Sequence, residues 1–253
     1  MGSRLAQLTG TRRDRFLYGL WKSAEGLVYD FDPAVHLLPE TWRPPAAWPR
    51  VWAIDWGKTA PTVLQMWAVD PMTLAVYLYR EFFRTNTRPD LLGRWARQEL
   101  ERGEKRPQAV VCDHDDEPKR EFERESGLHL QLADKADRDK GIQEMQARFD
   151  KDPQTGQPRI FFHPKALAHK PDPYLEERGI PSCTVAEILG YVWNEDFLKD
   201  EPIDINDHGC DSARYLIRYV STHMVAGGTP KVDYGNAPRR TTMGPRTTMR
   251  GRG

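Results

Sequence analysis

Four aspartates fall where chain segments end and acids can meet. Asp55 directly follows an apolar run at residues 50–54, and Asp113 directly follows a second one at 108–112. Asp207 and Asp211 lie one helical turn apart in Asn206-Asp-His-Gly-Cys-Asp-Ser-Ala-Arg-Tyr215, so they share a helix face, with His208 close by. Strand C-termini in a mostly parallel sheet share one edge, and ligands bind there. If the two apolar strands are neighbours, Asp55 and Asp113 come together. Clustered carboxylates repel one another unless a cation neutralises them. Hard carboxylate oxygens suit Mg²⁺ or Mn²⁺. Two such ions about 4 Å apart activate a water and stabilise the leaving oxygen of a phosphodiester. Nuclease chemistry is the direct reading of acids on two strands and a helix.

Each residue also has a plainer reading. Asp55 before Trp56-Gly57 is a turn former, and the acids at 113–116 make a solvated loop that caps the next helix. Asp207 is a natural helix N-cap. Asp211 can pair with Arg214 or Arg218, and a lone His208 is an ordinary histidine. The crowd Asp113-His-Asp-Asp-Glu117 leaves open whether Asp115, Asp116 or Glu117 shares or replaces the role of Asp113. One motif fails: Gly57-Lys-Thr59 follows a strand, but a phosphate-cradling loop needs a glycine five residues before Gly57, where Trp52 stands.

The elements that must position these acids are legible in outline. Strands are expected at 50–54, 62–69 and 74–83, the last two joined by a turn at Asp70-Pro-Met-Thr73. A helix at 89–102 places Leu92, Trp95, Ala96 and Leu100 on one face. The run at 108–112, apolar after Gln108, has the look of a buried parallel strand. A polar helix at 119–126 stops at Gly127. Further strands are expected at 129–132 and 159–163, and further helices at 140–149 and 207–224. Residues 185–193 are ambiguous. An antiparallel meander feeding parallel β-α-β units predicts an α/β fold, a mixed sheet with helices on both faces. Residues 1–49, with prolines at 39, 44, 45 and 49, read as a linker, 50–224 as the folded domain, and 225–253 as a disordered basic tail.

Composition excludes several classes. The chain has 253 residues with 37 Lys+Arg and 37 Asp+Glu, so it lacks a general basic coat. With 39% apolar residues it can fill a core, and no apolar run is long enough to span a membrane. The start, Met1-Gly-Ser-Arg4, has no signal core and reads as an added beginning. Cys112, Cys183 and Cys210 encode neither a disulfide framework nor a zinc site, which points to a reducing cytosol. From Gly227 onward six Lys/Arg face one acid, giving +5 there and −5 for the remainder. Arg239, Arg240, Arg246, Arg250 and Arg252 are candidate phosphate contacts.

Ala53-Ile-Asp-Trp-Gly57, Val110-Val-Cys-Asp113 and the segment at 206–215 together resemble the C-terminal nuclease domain of the large terminase subunit of tailed bacteriophages. The last is similar to that family's D-H-x-x-D-A-x-R-Y signature, with Ser212 in place of Ala. Ala133-Asp-Lys-Ala-Asp137 with Gly141-Ile142 resembles the family's lysine-containing stretch, which makes Lys135 an auxiliary candidate, and 16–29 looks like the end of a motor region. The resemblance spans roughly 12–222. It implies an RNase H-like fold, with Asp55, Asp113 and Asp211 as metal-binding catalytic acids and His208 and Asp207 as auxiliary metal-site residues. It implies Mg²⁺ or Mn²⁺, two ions, as cofactor. The implied partners are double-stranded DNA, the ATPase motor domain, the small terminase subunit and the portal. The implied place is the host cytoplasm, with no membrane and no part in the mature virion. Cleavage of concatemeric DNA is expected to have little sequence specificity, because nothing resembles a base-reading element. Competing readings are another RNase H-like nuclease, such as a resolvase or transposase core, and a non-catalytic module docking DNA or the portal.

Overall fold

The computed structural model describes residues 26–227 apart from 136, 154 and 195–200. Elements run in the order α1 (Pro33–His36), β1 (Arg50–Asp55), β2 (Thr62–Val69), β3 (Val76–Arg84), α2 (Pro89–Glu101) and β4 (Ala109–Cys112). There follow α3 (Asp116–Ser126), β5 (Leu130–Leu132), α4 (Arg138–Phe149), β6 (Ile160–Phe162), α5 (Pro173–Arg178), α6 (Thr184–Ile188) and α7 (His208–His223).

The six strands form one sheet in the order β5-β4-β1-β2-β3-β6. β1, β2 and β3 are the expected antiparallel meander, while β4 runs parallel to β1, β5 to β4 and β6 to β3. β1 and β4 read as continuous apolar runs because both of their faces are covered. Val51, Ala53, Ala109 and Val111 join Leu216, Ile217 and Val220 of α7 in one core cluster. Trp52, Ile54, Val110 and Cys112 face the other way, onto Leu92 and Ala96 of α2 and Phe122 of α3. The alternation follows from the two-residue period of a strand. It leaves β1 wholly inside, so trimming Trp52 to alanine would cost about 3–5 kcal/mol.

The turn between β2 and β3 forms as expected: Asp70 accepts from the Met72 amide at 2.9 Å and the Thr73 hydroxyl at 2.7 Å. α3 begins at Asp116, earlier than the polar pattern suggests, and Gly127, with φ of 69°, closes it. The ambiguous stretch resolves into α6 followed by a bridge from Val192 to Leu27. The described part of the segment expected as linker, 26–49, packs into the body. Val28, Tyr29 and Phe31 lie in the core, and Tyr29 stacks on Phe149 and Tyr191. Arg50 donates to the carbonyls of Trp48 and Pro45, and Lys105 donates to those of Ala46, Ala47 and Trp48, holding the proline-rich stretch down. Of the expected tail, 228–253 lie outside the described residues, and so do its five arginines.

Candidate active site

Register places the first two acids side by side. Ile54 pairs with Cys112 between the parallel strands β1 and β4, so Asp55 and Asp113 leave the sheet at the same edge on adjacent strands. α7 packs across β1, β2 and β4, and brings the third acid to that edge.

Asp55 is buried, and the half-buried Asp211 and His208 gather around it. His208 Nδ1 donates to Asp55 Oδ2 at 2.8 Å. The Tyr215 hydroxyl sits 3.3 Å from Asp55 Oδ1 and 3.3 Å from Asp211 Oδ2, so the two carboxylates lie no farther apart than twice that distance. Both contacts are long for a hydroxyl donor, and one proton serves two acceptors, which leaves both carboxylates with unspent acceptor capacity. Asp211 Oδ1 is held by Arg214 at 2.8 Å, the plainer pairing open in the sequence. Arg218 turns instead to Asp134 and Glu144.

Electrostatics follow from this crowding. Burial raises the Asp55 carboxyl above its ordinary range; the His208 bond opposes the rise, and the charges of Asp211 and Asp113 add to it. Burial pulls the His208 imidazole down, but the bond to Asp55 and the charges of Asp55, Asp207 and Asp211 outweigh that and leave it raised. Asp207 is pushed up to about 7, first by burial and then by Asp211 and Asp204. Burial and the three aspartates push the Tyr215 phenol far upward, so it stays a protonated donor at any working pH.

The other acids are held differently. Asp113 is half-buried and pairs with Lys135, whose ammonium lies 5.2 Å from the centre of the Tyr215 ring. Asp207 occupies the N-cap position of α7, but its side chain makes no capping bond; Oδ2 takes Arg138 at 3.3 Å. The natural-cap reading of Asp207 is therefore corrected. Asp115 stands at the N-cap position of α3, also without a capping bond, and lines a shallow hollow with Trp56, Lys58 and Glu117. The Asp116 side chain is 76% exposed and reaches Arg120. No bond joins Asp115 or Asp116 to Asp55, Asp113 or Asp211 among the described residues.

In kind, the donor set suits a hard divalent cation: crowded carboxylate oxygens with acceptor capacity to spare. In arrangement it is not gathered, since among the described residues no group of three or more His, Cys, Asp and Glu stands close enough to hold an ion. Asp113 bonds Lys135 instead. The pairing of Arg214 with Asp211 is one of the two the sequence offers, whereas Tyr215 has no role there beyond its place in the motif; its spacing of four residues from Asp211 is the signal that could have found it. Arg138 carried no such signal.

No family model matches the chain, and no curated protein matches it. Solved structures do. A large terminase from a thermophilic bacteriophage superposes with a TM-score of 0.58 at 22% identity, covering 85% of this chain and 49% of that one. The same terminase in complex with ADP gives 0.58 at 22% identity, covering 85% of this chain and 50% of that one. The phage P22 large terminase nuclease domain gives 0.56 at 16% identity, covering 78% of this chain and 93% of that one. The chain thus spans about half the length of the first terminase and nearly all of the isolated nuclease domain. With its meander, its parallel flanking strands and its helices on both faces, this chain has the RNase H-like fold of the phage large-terminase nuclease domain.

Proposed function

We propose that the chain is a metal-dependent endonuclease domain of a viral DNA-packaging terminase, cutting concatemeric double-stranded DNA with little regard for sequence. The observation that carries this reading is the Tyr215 hydroxyl standing between Asp55 and Asp211 at the edge where Asp113 emerges. Asp55, Asp113 and Asp211 would hold Mg²⁺ or Mn²⁺, with His208 and Asp207 as auxiliaries. Bound there, two such ions would supply the charge that activates water and stabilises a leaving phosphodiester oxygen.

The chain's own residues then have distinct tasks. Tyr215 and Arg214 orient Asp55 and Asp211. His208 fixes the rotamer of Asp55. Lys135 balances Asp113, and would have to give it up for Asp113 to join the other acids on a cation. The five tail arginines, Arg239 to Arg252, would add sequence-independent attraction to phosphates, which an acidic site lacks by itself. Double-stranded DNA, an ATPase motor domain, a small terminase subunit and a portal are the partners of this reading, and the host cytoplasm its place. Among the described residues no helix is long and apolar enough to cross a membrane.

Supercoiled plasmid incubated with Mg²⁺ or Mn²⁺ should be nicked and linearised, with no effect of ATP and none of the activity surviving EDTA. Intact plasmid in millimolar Mn²⁺ would sink the reading in favour of a docking module.

A further inference from the structure

α7 carries His208 and Asp211 in its first turn, yet nothing at its own N-cap position caps it. First-turn amides of a helix have no intrahelical acceptor, and leaving them unmet inside a protein is costly. Here they are met from α6. Glu187 Oε2 accepts from the amide of Gly209 at 2.6 Å and from that of Cys210 at 3.2 Å. Glu187 is 1% exposed, inside the same core that holds the helix.

The contact is braced from the sheet. Gln65 Nε2 donates to the Gly209 carbonyl at 2.8 Å and to Thr184 Oγ1 at 2.6 Å. The Thr184 hydroxyl in turn donates to Glu81 Oε2 at 2.6 Å. Gln65 and Glu81 are register partners on β2 and β3, and Trp67 Nε1 donates to Gln65 Oε1 at 3.0 Å. Gly209 fits because it has no side chain: a Cβ there would meet Thr184 Oγ1 at 2.5 Å and Glu187 Oε2 at 2.8 Å.

From this geometry we infer that Glu187 is a positioning residue, capping α7 from a separate segment and thereby fixing the turn from which His208 and Asp211 reach Asp55. Burial pushes the Glu187 carboxyl well above its ordinary range while the two amides oppose the rise, and in either protonation state an oxygen remains to accept from the helix N-terminus. The same arrangement releases the Asp207 carboxylate from capping, so that it faces Arg138 and the site. This inference rests on the nuclease reading for its functional weight, but the cap itself does not.

The test measures Mn²⁺ affinity by calorimetry on the whole chain, with far-UV circular dichroism confirming the fold of each variant. Glu187→Gln keeps an oxygen acceptor and should bind Mn²⁺ close to wild type. Glu187→Asp falls a methylene short and should be intermediate. Glu187→Ala should bind roughly 10- to 100-fold more weakly, the usual cost of losing a group that orients a ligand. A folded Glu187→Ala with wild-type affinity, or a Gln variant as weak as the Ala variant, would overturn the inference. If Glu187→Ala does not fold, hydrogen exchange in the wild type decides: the Gly209 and Cys210 amides should be protected like those of Leu216 and Ile217. Exchange as fast as an uncapped first turn would overturn the cap. A wild type that binds no Mn²⁺ counts against the nuclease reading, and the two amides then decide the cap.

Discussion

The two halves of the candidate site are built on different terms. On one side Asp55, Asp211 and His208 sit on a buried strand and a packed helix, joined through Tyr215 and braced by Arg214. On the other Asp113 opens a half-exposed stretch that runs into α3, and its partner Lys135 comes from the segment between β5 and α4. The first half is fixed by the core. The second is held at the surface by the ion pair with Lys135, of a kind worth about 0–1 kcal/mol, and by contacts with its own neighbour His114. A site made this way has one preset wall and one loosely held wall, and on the proposed nuclease reading a cation that drew the acids together would take Asp113 from Lys135.

The largest effect should come from the fixed half. Asp55→Asn or Asp211→Asn keeps the shape but loses the charge that would hold a cation, so plasmid cleavage should fall by more than about 10³-fold, several kcal/mol of barrier. The variants should remain folded by circular dichroism. Wild-type nicking by folded Asp55→Asn would break the comparison at its strongest point.

A second effect distinguishes the buried half by its protons. Asp207, raised to about 7, Asp55 and His208 all have folded-state pKa values above their unfolded ones. From about pH 4 upward the unfolded chain has shed carboxyl protons that the native state retains, so stability in metal-free buffer falls as pH rises through about 7. Asp172 has the opposite sign: three bonds from Thr85 and Tyr174 outweigh its burial and lower its pKa, so its contribution is lost only at more acid pH. Thermal melts in EDTA should therefore peak in mild acid and lose several degrees by pH 8. A melting temperature that climbs from pH 5 to pH 8 would contradict the crowding of these acids.

The smallest effect belongs to the other half. Lys135→Met removes the ammonium competing for Asp113. It should lower metal-free stability by less than about 1 kcal/mol and move the Mn²⁺ midpoint of binding to lower concentration. A midpoint moved to higher concentration would make Lys135 a support of the metal site rather than its rival.

Legibility in the sequence followed the same division between local pattern and distant contact. Asp55 and Asp113 are readable because each ends a run of four apolar residues, 51–54 and 109–112, and such runs mark strands covered on both faces. Asp207, His208 and Asp211 were readable from helical spacing. Tyr29 and Phe31 were not, because they enter the core singly from a stretch without period, packing on Phe149 and Phe162. The cap of α7 was misassigned to Asp207 because its true partner, Glu187, lies 22 residues before Gly209 and reaches it only through the tertiary fold. Lys135 bonding Asp113 is likewise a contact between separate loops, and spacing is silent about it.

On the proposed reading Asp55, Asp113 and Asp211 would together hold a divalent cation. Anomalous scattering from crystals soaked in Mn²⁺ tests it most directly. A peak is expected in coordination contact with Asp55 and Asp211, with Asp113 swung away from Lys135 to join them. Soaked crystals with no peak at that edge, and Asp113 still bonded to Lys135, would contradict it.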